Sequence, residues 1–225
     1  MNIIALLASP HGLKGNTSVL LGLVLDGAKA EGARAETVVL KDDEVAPCLG
    51  CNACHKKGRC ARKDSFEPLK RKILAADGLV LASPNYIFNV SAQLKAFMDR
   101  CCGVIHCMSF WGKYGASVAT SGGGGEEAVT AYMNQFLIAT GTVPVGAAGA
   151  NMSAMPEGGF TEEVKDSALA LGKELVLAWK EGGVPPEVAK RRDDFRRRML
   201  SLIAYRKDEW PYEFQYWKTR EGSTA

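Results

Sequence analysis

The sequence predicts an α/β protein built on a doubly wound, five-stranded parallel sheet. Three observations carry this reading. Five short apolar segments occur in order, at residues 2–8, 34–40, 78–83, 114–120 and 142–148. Segments with helical periodicity alternate with them, the arrangement of repeated strand–helix–strand units. The length, 225 residues, suits one large core with appendages.

The elements follow in order. Residues 2–8 are a continuous apolar strand. Residues 16–31 place Val19, Leu20, Leu23, Val24 and Ala28 on one helical face. Residues 34–40, with Val38, Val39 and Leu40, form the second strand, and a cysteine-rich loop follows at 46–64. A helix is expected at 66–76 and an apolar strand at 78–83, ending at Pro84. Residues 91–102 read as a helix capped by Ser91, with Val90, Leu94, Phe97, Met98 and Cys101 facing inward. A strand at 114–120, a helix at 126–140 and a fifth strand at 142–148 complete the sheet pattern. A long helix at 161–180 has Thr161 as N-cap and Glu162 and Glu163 in its first turn.

The chain then breaks at Gly182-Gly-Val-Pro-Pro186. A basic helix at 187–205 carries Val188, Phe195, Met199, Leu202 and Ile203 as an apolar stripe. The tail adds Trp210, Tyr212, Phe214, Tyr216 and Trp217, too dense an aromatic set to be left solvated. The chain therefore divides into a ligand-binding domain at 1–183 and a helical, aromatic extension at 184–225. The extension is expected to contact another subunit in a homodimer or homotetramer.

Composition excludes some classes. The net charge of +3 is too weak to imply nucleic acid. No apolar run is long enough to span a bilayer. The first ten residues lack a basic region and read as a buried strand, not a signal peptide. Seven cysteines without an export signal point to a reducing, cytoplasmic setting.

Four of those cysteines, Cys48, Cys51, Cys54 and Cys60, fall within thirteen residues. Soft thiolates at this density suit a thiophilic metal or an iron–sulfur cluster. The compact spacing favours a 4Fe–4S cluster over structural zinc, whose knuckles are usually farther apart. Free or redox-paired thiols are the ordinary alternative.

Three loops point at one ligand. Ala8–Ser18 joins the first strand to the first helix, and Ser9, Asn16, Thr17 and Ser18 offer donors at a helix N-terminus that favours an anion. The loop is neither a P-loop nor a Rossmann glycine motif. It suits a bound phosphomonoester, and an ordinary glycine–serine turn is the alternative. Ser83–Ser91 ends the third strand, where Pro84, Tyr86 and Phe88 supply a flat apolar wall. Thr120–Glu126 ends the fourth strand with four consecutive glycines, which let main-chain amides approach a planar ring. In a doubly wound sheet these loops share one edge. A phosphate at one end and a flat heterocycle at the other describe FMN.

These segments resemble a known family. Ser-Pro-x-Gly-x-x-Gly-Asn-Thr-Ser at 9–18, Ser-Pro-x-Tyr…Asn-Val-Ser-Ala-Gln-Leu-Lys-Ala-Phe-Met-Asp-Arg at 83–100 and the glycine loop are similar to the flavodoxin-like NAD(P)H-dependent FMN reductases. The cysteine run and the Trp-Pro-Tyr-Glu…Tyr-Trp tail resemble the iron–sulfur flavoprotein branch. The resemblance implies that Ser9, His11, Asn16, Thr17 and Ser18 hold the FMN phosphate. It implies that Pro84, Asn85, Tyr86, Ile87 and Phe88, with Thr120, Ser121, Gly122, Gly123 and Gly124, flank the isoalloxazine. It further implies that Cys48, Cys51, Cys54 and Cys60 ligate the cluster, near a partner subunit's flavin.

Other residues invite chemistry. Cys101, Cys102 and Cys107 are candidate redox thiols, although Cys101 continues an apolar stripe and fits a core position. His106 beside Cys107 suggests a Cys–His pair, but adjacent residues rarely meet that geometry. His55 lies within the cysteine loop and is read as a residue that backs the cysteine ligands or faces solvent. The basic run at 190–198 suits either an NADPH phosphate or a solvated helix face.

The expected function is an FMN-dependent oxidoreductase that passes electrons between NAD(P)H or a reduced carrier, FMN and a 4Fe–4S cluster. A flavin or quinone reductase without a cluster, zinc-stabilised or not, is one alternative. A non-enzymatic flavodoxin-like carrier docking a ferredoxin-like partner is another.

Overall fold

The computed structural model describes residues 1–42, 44–157 and 159–222. Residues 223–225 of the expected extension lie outside the described residues. The sheet contains β1 (Asn2–Leu7), β2 (Arg34–Val39), β3 (Gly78–Pro84), β4 (Tyr114–Ser121) and β5 (Val143–Asn151). All neighbours pair in parallel, in the order β2-β1-β3-β4-β5. The central strands β3 and β4 are buried at every position, as a sheet covered on both faces requires.

Helices α1 (Asn16–Ala30) and α7 (Glu162–Glu181) cover one face; α3 (Phe66–Ala75), α4 (Ala92–Arg100) and α6 (Glu126–Thr140) cover the other. Thr161 caps α7 by accepting from Val164 N at 3.3 Å, and Ser91 caps α4 by accepting from Leu94 N. Both caps were legible in the sequence. Helices α1 and α7 meet backbone to backbone. A side chain at Gly27 would collide with the Leu169 carbonyl, and one at Gly172 with the Val24 carbonyl. Small residues are needed there because the backbones approach so closely.

Two local expectations need correction. Val19 is 53% exposed and Leu23 only half-buried, whereas Leu21 and Leu25 are buried. The inward arc of α1 is shifted because the helix packs on α7 as well as on the sheet. The helix expected at 91–102 ends at Arg100. Cys101 N bonds back to Met98 O at 3.0 Å, an i→i−3 closure that tightens the last turn, and α5 (Cys102–Cys107) starts afresh. The aromatic tail is itself a helix, α9 (Pro211–Gly222), following α8 (Pro186–Tyr205).

Helices α8 and α9 add a small separate core of Met108, Met199, Ile203 and Trp217, flanked by Trp111, Trp210 and Tyr216. The tail therefore packs on its own subunit, while Tyr205, Tyr212 and Phe214 stay exposed. Part of the basic run builds this core: Arg192 stacks over Trp111 at 3.9 Å, and Arg196 pairs with Glu221 beside Trp217. Among the described residues, no helix is long and apolar enough to cross a membrane.

Candidate functional site

The strand order reverses direction between β1 and β3, and the loops leaving β1, β3 and β4 gather at that switch point. Hydrogen bonds join the three loops to one another. Ser91 Oγ donates to Ala8 O at 2.6 Å, and Ser91 N donates to Ser83 Oγ at 2.9 Å. Asn85 N donates to Thr120 O at 2.7 Å, and Thr17 Oγ1 bonds Thr120 Oγ1 at 2.6 Å.

In the first loop Ser9 is buried, and its Oγ accepts from His11 N at 3.2 Å. A 3-10 turn at Gly12–Lys14 leads to α1, whose N-cap Gly15 provides no side-chain cap. The first-turn amides of α1 therefore lack the side-chain acceptor that usually satisfies one of them. Asn16 and His11 are exposed there, Ser18 is half-buried, and Thr17 is buried.

The second loop closes as a tight turn. Tyr86 N donates to Asn89 O at 2.8 Å, and Asn89 N returns to Tyr86 O at 3.2 Å. The residues between them, Ile87 and Phe88, have φ of +49° and +63°. A β-branched residue in that region is strained by about 1–3 kcal/mol. Their side chains are nevertheless 89% and 87% exposed. The turn thus holds two large apolar groups out at the mouth of the site.

In the third loop, Ser121 Oγ donates to Glu126 Oε2 at 2.5 Å and accepts from Gly124 N at 3.0 Å. Gly124 and Gly125 need glycine for their positive φ. Gly122 and Gly123 do not, and a side chain at either would meet open space. Their missing side chains keep a surface clear. Asn85 donates from Nδ2 to Gly124 O at 2.8 Å, yet its Oδ1 is buried and has no partner among the described residues. A buried acceptor left without a donor is uncommon. A ring N–H lying against the glycine loop would satisfy it, so these residues fit FMN.

The cysteine loop lies beyond β2. Gly50, Asn52 and Gly58 all have positive φ, which turns the chain tightly around the short helix α2 (Ala53–Lys57). Cys48 and Cys51 are exposed, and Cys54 and Cys60 are half-buried. Cys54 and Cys60 line one cavity of about 190 Å³ with Glu67, Arg100 and Tyr212. Cys48 Sγ accepts from Gly50 N at 3.4 Å, and Cys60 Sγ accepts from Arg100 Nε at 3.2 Å. Donors aimed at sulfur fit thiolate ligands. Arg100 is itself fixed by Asp64, at 2.7 Å and 3.0 Å, and by Ala46 O. The Arg100 guanidinium beside Asp64 holds that carboxyl below the usual range.

Helix α9 covers this loop. Tyr212 sits where a side chain at Gly58 would be, and Glu213 is fully buried. Its carboxylate accepts from His55 Nδ1 at 2.6 Å and from His106 Nδ1 at 2.9 Å. Cys102 Sγ lies 3.8 Å from His106 Nε2. Hydrogen bonds with His106 and then His55 outweigh burial and pull the Cys102 thiol down to about 6. Burial opposes charge on both imidazoles, but the bonds to Cys102 and Glu213 push His106 up to about 9. His55 is therefore a buried partner of Glu213, not a solvated residue. His106 pairs with Cys102, not with Cys107. The i,i+4 spacing of Cys102 and His106 was the available signal; Glu213 had none. Cys101 is fully buried, with its thiol pushed up by burial.

A five-stranded parallel sheet with three joined loops at the β1/β3 switch point defines an FMN-dependent oxidoreductase of flavodoxin-like fold. The chain belongs to the NADPH-dependent FMN reductase family, which it matches over residues 1–155, and to its iron–sulfur flavoprotein branch. An iron–sulfur flavoprotein of Archaeoglobus fulgidus is 33% identical over 221 residues, covering 98% of this chain and 99% of that protein. Another, of Methanocaldococcus jannaschii, is 35% identical over 148 residues, covering 65% of this chain and 76% of that protein. Among solved structures, an NADH:FMN oxidoreductase aligns with a TM-score of 0.62 at 18% identity, over 83% of this chain and 92% of that one.

Proposed function

We propose that the protein passes electrons between NAD(P)H or a reduced ferredoxin-like carrier, FMN and a 4Fe–4S cluster held by Cys48, Cys51, Cys54 and Cys60. The observation that carries the flavin half is the unpartnered Asn85 Oδ1 beside the cleared surface at Gly122 and Gly123. The observation that supports the cluster half is Arg100, which donates to Cys60 Sγ while Asp64 holds it. When bound, FMN supplies hydride acceptance and the cluster one-electron exchange.

The residues of the chain do the rest. Ser9, His11, Asn16, Thr17 and Ser18 bind the phosphate at the α1 N-terminus. Asn85, Thr120 and Ser121 orient the ring, with Gly122, Gly123 and Gly124 against one side. Pro84, Tyr86, Ile87 and Phe88 exclude water from its edge. Arg100 neutralises thiolate charge. Exposed Lys56, Lys57, Arg59 and Lys63 surround the loop with positive charge and suit an acidic carrier. Residues 1–183 act as the flavin domain and 184–225 as its extension. The exposed Tyr205, Tyr212 and Phe214 form the contact of a homodimer or homotetramer.

Anaerobic mixing with NADH or NADPH tests the reading. Bleaching of the flavin band followed by appearance of a reduced-cluster signal is expected. Flavin reduction that leaves the cluster oxidised would contradict the electron path.

A further inference from the structure

The four loop cysteines and the flavin loops leave one partly buried group of donors unused. We propose that His55, His106 and Cys102 form a mononuclear site for a zinc-class divalent cation, oriented by Glu213 and distinct from the four loop cysteines.

The donor atoms of the three residues all lie within 4.8 Å of one another. Among the described residues no other group of three histidine, cysteine or carboxylate ligands converges this closely. A tetrahedral ion with bonds of about 2.0–2.3 Å holds its donors about 3.3–3.8 Å apart. The Cys102 Sγ–His106 Nε2 separation of 3.8 Å falls within that range.

Glu213 makes the set directional. It is 0% exposed and places one carboxylate oxygen on each Nδ1. Each ring donates from Nδ1, so the lone pair of each neutral ring sits on Nε2. That arrangement, a carboxylate behind a ligating imidazole, fixes tautomer and ring orientation at metal sites. The rings are stacked 4.8 Å apart, and Trp210 covers both, at 4.7 Å from His55 and 4.9 Å from His106. Trp217 Nε1 donates to His106 O at 2.9 Å and fixes the backbone beneath. Two imidazoles and one thiolate are borderline-soft donors, suited to Zn²⁺ and Co²⁺ and poor for Mg²⁺ or Ca²⁺. Three protein ligands leave one position for water.

Binding forms two metal–nitrogen bonds and one metal–sulfur bond in place of bound waters, and whatever protons Cys102 Sγ and the two imidazole Nε2 atoms carry without the ion leave to solvent. No electrons move. The three ligands come from α2 and α5 and their orienting carboxylate from α9. The ion therefore fastens the C-terminal helix over the cysteine loop, one residue from Cys54.

The test uses the full chain carrying C48S and C51S, which removes two exposed cysteines and with them any four-cysteine site. Titration with Co²⁺ alone should fill one site per chain, with a charge-transfer band of a single cobalt–thiolate bond. Adding C102S should abolish that band. Adding E213Q should weaken binding about 10–100-fold while keeping the band, as loss of an orienting partner does. FMN content serves as the folding control. In the unmodified holoprotein, zinc should be present besides iron and sulfide, and C102S should remove the zinc alone. Absence of the cobalt band in the C48S/C51S protein, or a band unchanged by C102S, would overturn the proposal. Were C102S to lose FMN as well, the H106Q variant decides: an unaltered Co²⁺ affinity there also overturns it.

Discussion

Thr17 Oγ1 and Thr120 Oγ1 share a hydrogen bond of 2.6 Å across 103 positions of sequence. This bond joins the loop after β1 to the glycine loop after β4. It couples the two ends of the proposed flavin site, because each hydroxyl fixes the other's rotamer. Thr17→Ala should therefore disturb both ends. Loss of a buried hydroxyl partner and of the proposed phosphate donor amounts to about 1–3 kcal/mol, or about 5- to 150-fold in FMN Kd. Fluorescence titration of the apoprotein with FMN measures this, and an unchanged Kd would remove Thr17 from the site.

Cysteine variants should separate the two redox groups. A serine at Cys48, Cys51, Cys54 or Cys60 should lower bound iron and sulfide together and leave most FMN in place, since the flavin loops share no residue with the cysteine loop. Parallel iron, sulfide and flavin assays check this. Loss of FMN in step with iron would show that the sites are not independent.

The loop should loosen in acid. Hydrogen bonding from Arg100 lowers the folded-state pKa of Asp64. A carboxyl with a lowered folded pKa contributes its full stabilisation above its unfolded value, about 3.9 for Asp, and loses it as pH falls through the lower folded value. The 46–64 loop should thus stay protected at neutral pH and open below about pH 4. Asp64→Asn should abolish this dependence. Hydrogen exchange of the Ala46 and Phe66 amides, which donate to Asp64, reports it directly.

Lys113 offers a stability test away from the chemistry. It is 8% exposed, and its Nζ donates to Leu74 O at 2.8 Å and to Ala76 O, at the C-terminus of α3. Burial lowers its pKa. Lys113→Met keeps the apolar stem but leaves those carbonyls unpaired, which should cost about 1–3 kcal/mol in denaturant unfolding. A midpoint equal to that of the unaltered protein would mean that water replaces the ammonium.

Much of this architecture was legible in the sequence. The five strands and their parallel arrangement, the caps Ser91 and Thr161, and the three loops follow from period, capping chemistry and glycine placement. These are local signals. The Cys102–His106–Glu213 group was not legible. It depends on α9 returning across 107 positions to His106, and no local pattern marks Glu213 as the carboxylate that will be buried. Only the i,i+4 step from Cys102 to His106 was visible. The turn at Cys101 was hidden for a similar reason: nothing in Arg100-Cys-Cys-Gly103 breaks helical periodicity. Arg100 belongs to a recognisable motif, but its hold on Asp64 and Cys60 appears only when the loop folds back.

The proposed electron path needs FMN at the switch point and a cluster on Cys48, Cys51, Cys54 and Cys60 of one chain. Its most direct test is quantification of FMN, iron and acid-labile sulfide in anaerobically purified protein. One FMN per chain, with iron and sulfide in equimolar amounts, is the expected result. Protein with FMN and zinc but no sulfide would contradict it.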